Sequence, residues 1–144
     1  MTPGGSVTPG GRDIIIRTVC RLLVPFVQLF GLYVIMHGHS SPGGGFQGGV
    51  IIASSFILLA VGDGYDEVRR RISLAWLTAT TSAGVLLYAG LGVVCLLLGA
   101  NYLDYAVLPV SDARSVGMLV IEIGVGITVM AAIISIFHDL VTFE

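Results

Sequence analysis

LAWLTATTSAGVLLYAGLGVVCLLLG, residues 74–99, runs for 26 positions without a charged side chain. The hydrocarbon core of a bilayer, about 30 Å thick, is crossed by ~20 helical residues, so this run is long enough to span it. Backbone N–H and C=O groups cannot stay unpaired in lipid, and the polar/apolar alternation of barrel strands is absent. The stretch reads as a transmembrane helix.

Three further apolar runs flank it, at residues 14–36, 46–62 and 116–138. The first reaches spanning length only with Arg17 and Arg21 inside it; its uncharged part is Leu22 to Met36. The 144-residue chain is 55% apolar and 11% charged, with a mean hydropathy of +0.95. A water-soluble domain carries about 25% charged residues, because something must face the water. Four long helices packed in a soluble core would lack that cover. The expected fold is an all-α membrane protein with about four transmembrane helices in residues 14–144. A Gly/Pro-rich tail, residues 1–13, is expected to be flexible and carries no cleavable signal. The halves show no inverted repeat of the transporter kind.

The net charge of −2 and the lack of a basic patch with interleaved aromatics argue against a nucleic-acid partner. All seven basic residues are arginine, and the absence of lysine removes a phosphate-binding P-loop and Schiff-base chemistry. Arg12, Arg17, Arg21, Arg69, Arg70 and Arg71 fall on one side of the predicted bundle, and only Arg114 on the other. Basic residues near helix ends are retained inside the cell, so both termini are expected to be cytoplasmic. The loop after the first helix and the segment Asn101–Ser115 then face outward. Asp63, Asp66 and Glu67, next to Arg69–Arg71, read as a solvated loop. His138 and Asp139 close the fourth helix, where a histidine suits the helix dipole. Cys20 and Cys95 are separated by ~30 Å in depth, too far for a disulfide, and read as packing residues.

Small residues recur at helical spacing: Gly49 and Ala53; Gly84, Tyr88 and Gly92; Gly117, Gly124 and Thr128. Such stripes let backbones approach closely in lipid. They point to helices packed on something, including helices of other subunits.

The chemistry-bearing candidates are few. HGHSSPGGGFQGG, residues 37–49, interrupts two oily runs with six glycines and two histidines. Residues 43–48 formally match GxGxxG, with Asp63 twenty residues on, but a dinucleotide fingerprint needs a preceding strand. His37 and His39 lack a third ligand for a metal and suit either proton exchange at an aqueous mouth or hydrogen bonding within the turn. Pro42 ends the helix and biases Ser41 away from helical angles. Gly43, Gly44 and Gly45 permit positive φ and close approach by another chain. The segment is either an ordinary tight turn, with Arg17 and Arg21 snorkelling, or a loop dipping below the outer surface. Glu122 lies six positions into the fourth run among apolar residues and glycine. An acid there costs roughly 2.5–3.5 kcal/mol on insertion scales, so it is expected to face protein or water. It suits proton or cation handling, or else a structural pair with a basic group of a partner. No cofactor or metal is expected.

FGLYVIMHGHSSPGGGFQGGVI, residues 30–51, closely resembles the signature of the MnhB/MrpB family: small membrane subunits of multisubunit Na+/H+ antiporters of the Mrp type. Carrying the resemblance are Gly31 and Tyr33, His37–Gly38–His39, and Pro42, Gly43, Gly44, Gly45, Phe46, Gln47, Gly48 and Gly49. It implies an accessory, non-catalytic subunit in the plasma membrane of a prokaryote. Its partners would be the other membrane subunits, with Na+ and protons moved nearby. The motif would serve the turn and subunit packing, and Glu122, His37 and His39 stand as pathway candidates. Related subunits occur in membrane-bound hydrogenase-type oxidoreductases, which leaves a redox-driven host complex as an alternative. A purely structural membrane adaptor is the other.

Overall fold

The computed structural model describes residues 9–40 and 42–143, with the side chains of residues 9–12 and 71 left undescribed. Five α-helices and one 3-10 turn follow in order: α1 (Pro9–Met36), α2 (Gly45–Asp63), α3 (Tyr65–Arg71), α4 (Leu74–Leu97), the turn Tyr105–Val107 and α5 (Ala113–Thr142). Four of them, α1, α2, α4 and α5, are long and apolar enough to cross a membrane. Most of the expected tail lies outside the described residues, and α1 already begins at Pro9. Ser41 lies outside them as well.

Local chemistry sets the boundaries. Gly64, at φ 94°, takes the left-handed conformation that separates α2 from α3 at no Cβ cost. The Ser73 hydroxyl accepts from the Trp76 N–H at 3.3 Å and caps α4. At its other end Gly99 (φ 83°) donates to the Leu96 carbonyl and Ala100 to that of Cys95, a Schellman stop. The connection read as a solvated loop is instead the short helix α3. Its Tyr65 hydroxyl sits 3.4 Å from the His138 carbonyl and stacks edge-on to Phe137 and His138.

The spanning helices form a row, α1–α2–α5–α4, rather than a closed bundle: α2 packs between α1 and α5, and α4 packs chiefly on α5, with Leu77 reaching a small core shared with Ala53 of α2. The glycine stripes explain the row. A Cβ on Gly31 would lie 3.1 Å from the Gly48 carbonyl oxygen, which sets the α1–α2 approach. One on Gly49 would lie 2.6 Å from the Gly126 oxygen, and one on Gly84 2.7 Å from the Gly124 oxygen. The stripes are therefore used within the chain and do not require a partner subunit. What remains exposed is large apolar surface on the outer helices, including Leu22, Phe26 and Leu29 on α1 and Leu86 and Leu97 on α4.

Six hydroxyl groups inside the spans are satisfied by their own helices. Ser54, Ser55, Thr78, Thr80, Thr81 and Thr128 each donate to a carbonyl three or four residues back, at 2.6–3.1 Å. Cys20 and Cys95 are buried and unpaired.

Candidate functional site

Glu122 is the tenth residue of α5, ~13 Å along the axis from Ala113. Unlike the hydroxyls, it has no backbone partner: its Oε2 is buried with no hydrogen bond among the described residues. The loop after α1 lies directly against it. A Cβ built on Gly38 would stand 2.5 Å from the Glu122 carboxyl carbon and from both its oxygens. One built on Gly45 would run into the Glu122 backbone, with the α-carbon at 3.0 Å. The end of α1 and the start of α2 thus close on either side of one acidic residue.

These contacts set the depth of the glycine-rich loop. It meets α5 at Glu122, whereas Leu87 of α4 packs on Gly124 nearby and α4 continues ten residues further, to Leu97. Glu122 is two residues nearer that end than Gly124, so at 1.5 Å per residue the loop lies ~12 Å lower along the row than the end of α4. Of the two readings open for the loop, the recessed one agrees with this placement. Non-helical backbone at such depth needs protein or water around it.

Of the loop glycines, Gly45 serves close approach, while a Cβ on Gly44 would meet nothing within 4 Å. Gly44 is extended, at φ 172°, and the described positive-φ glycines are Gly64 and Gly99. The positive φ that Gly43–Gly45 permit is thus not among the described positive-φ conformations.

His37 stacks on Tyr33 with ring centroids 4.2 Å apart, and its Nδ1–H donates to the Tyr33 carbonyl at 3.1 Å. A carbonyl can only accept, so Nδ1 carries the proton. His37 and His39 are exposed on either side of Gly38, at the mouth of the recess. Pro42, Gly43, Phe46 and Gln47 line, with Phe30 and Tyr33, an open groove of about 700 Å³ on the α1–α2 face.

A second polar cluster lies at the other end of the same helix pair. Arg17 and Arg21 both donate through Nε to Asp63 Oδ1 at 2.8 Å, and Arg21 reaches Oδ2 at 3.1 Å. The Asp63 side chain is 4% exposed and the arginines 50%. Asp63 is therefore not part of a solvated loop, and the arginines inside the first run are held by an ion pair. The signal was present: two arginines four apart on one face, and an acid ending the next run at the same level. Among the described residues no group of three or more His, Cys, Asp or Glu is placed to hold a metal.

Fold and site together define a polytopic α-helical membrane protein in which one acid within a span is enclosed by a recessed, glycine-rich loop. Residues 15–135 match the family described as "Domain related to MnhB subunit of Na+/H+ antiporter". That match covers most of the chain, and the chain belongs to this family. It is 29% identical over 134 residues to a Staphylococcus aureus (strain Newman) protein provisionally named antiporter subunit mnhB2, spanning 90% of this chain and 94% of that protein. The proteins of that name in strains JH1 and USA300 match with the same identity and coverage. The chain is a multi-pass protein of the plasma membrane and one subunit of a larger complex.

Proposed function

We propose that this chain is an accessory, non-catalytic subunit of a multisubunit Na+/H+ antiporter, and that Glu122 takes part in its cation or proton pathway. The observation carrying this reading is the Glu122 carboxyl, set inside a span with Oε2 lacking a partner among the described residues and closed in by the loop that bears His37 and His39. Every hydroxyl named above in the spans has an acceptor in its own helix; Oε2 of this acid has no partner among the described residues, and an unpaired polar group is costly in lipid. A carboxyl there can exchange a proton with imidazoles at the mouth or offer oxygen ligands to a monovalent cation.

Both termini lie in the cytoplasm in this reading, which rests on the six arginines at one end of the row against one at the other. The partners are the other membrane subunits of the antiporter, packed on the open faces of α1 and α4.

The test is complementation. Cells lacking this chain receive it with an affinity tag, and everted membrane vesicles are assayed for Na+-dependent proton exchange. Restored exchange, with other antiporter subunits co-purifying in mild detergent, is expected. Co-purification of an iron–sulfur oxidoreductase arm instead, or unchanged exchange without the chain, would contradict the proposal.

A further inference from the structure

The contact between Gly38 and Glu122 joins two residues distant in the chain, and it differs from the glycine contacts that set helix spacing. At Gly45, Gly49 and Gly84 an added Cβ would meet backbone of a neighbouring helix, so those glycines set helix spacing. At Gly38 the three nearest atoms are all in the terminal group of one flexible side chain: the carboxyl carbon and two oxygens of Glu122, each at 2.5 Å. The space left by the absent Cβ is where the carboxyl group sits.

The geometry points to Gly38 as the positioning residue of Glu122: its missing side chain fixes where the carboxyl group rests beneath the loop, and hence its register with the pathway. The inference rests on the reading of Glu122 proposed above. Its physical basis is that a helix glutamate has several rotamers open to it, and what selects one is the shape of the facing surface. Gly38 lies two residues past the end of α1, with its N–H donating to the Ile35 carbonyl at 3.3 Å, so its backbone is anchored while its α-carbon faces the acid. Among the described residues, nothing hydrogen-bonds Glu122 Oε2 to hold it otherwise. Contact with the loop is what remains.

A positioning role and a spacing role part company in a defined variant. Gly38→Ala adds one methyl group that the carboxyl end can evade by changing rotamer while the backbone stays in place. Purified complex carrying G38A is expected to contain the full set of subunits, and in proteoliposomes its apparent KM for Na+ rises by about tenfold or more, up to the roughly hundredfold scale on which an ångström-sized displacement of a positioned group is felt. Shortening the acid in the same background, G38A with E122D, withdraws the carboxyl by one methylene and is expected to recover most of the lost affinity, although E122D alone is impaired. Glu122 reactivity toward a hydrophobic carbodiimide, read by peptide mass spectrometry on the chain in membranes, is expected to change in G38A. That measurement decides the matter even if the variant complex fails to assemble. A wild-type KM in assembled G38A, a G38A defect that E122D does not relieve, or unchanged labelling would each overturn the assignment. If E122Q also exchanges normally, the proposed role of Glu122 falls; if E122Q is inactive while G38A is normal, only the role of Gly38 falls.

Discussion

At the scale of single residues, charge in this chain is handled in two opposite ways. Asp63 ends α2 with its carboxylate clasped by two guanidinium groups that keep their outer halves in water, so attraction is gained without burying the cations. Asp63→Asn removes the charge but keeps the shape. A loss of about 2 kcal/mol is expected, within the range for hydrogen bonds to charged groups, and is read as a lower thermal midpoint of the detergent-purified protein. Arg17→Gln is expected to cost less, since Arg21 alone reaches both oxygens. An unchanged midpoint for Asp63→Asn would mean the clasp contributes nothing. Glu122 is the contrary case, an acid whose Oε2 has no partner among the described residues. Its isolation among apolar residues was legible from sequence, whereas its contact with Gly38 was not, because nothing local to either residue reports on the other.

At the scale of elements, small residues decide which helices touch. Gly49→Ala drives a methyl group against the Gly126 carbonyl, and overpacking of this kind costs about 1–3 kcal/mol. A Cβ added at Gly90 would have nothing within 4 Å, so Gly90→Ala on the open face of α4 is expected to be neutral or slightly stabilising. Unfolding in mixed micelles compares the two; equal effects would refute the packing account. The 3-10 turn supplies a pH test. Tyr105 packs its ring onto Gly117, and burial, followed by the nearby Tyr88, Cys95 and Tyr102, pushes its hydroxyl above the ordinary value of 10.0. With the folded value raised, the native state holds its proton longer than the unfolded chain does. The contribution is therefore complete below about pH 10 and lost as pH climbs through the higher folded value. Spectrophotometric titration of Tyr105→Phe against wild type should show one late-ionising tyrosine disappear. The small-residue stripes were visible in the sequence as spacing, but whether they face a neighbour in the same chain or in another depends on the row's order, which spacing does not contain.

At the scale of the molecule, hydropathy and length were enough for four membrane-spanning helices, since lipid leaves the backbone few options. The order α1–α2–α5–α4, the recess of the loop and the burial of Asp63 depend on contacts between distant segments and emerged only with the three-dimensional arrangement. An open row leaves α1 and α4 with wide apolar faces, as suits a subunit enclosed by others. Reporter tags on either end are expected to be accessible only from the cytoplasmic side of intact cells; external labelling of one terminus would invert or break the topology. The most direct measurement is Na+-driven proton movement in proteoliposomes of the purified complex carrying Glu122→Gln, checked for its full set of subunits. Loss of nearly all exchange with assembly intact is predicted. Exchange at the wild-type rate would contradict the account.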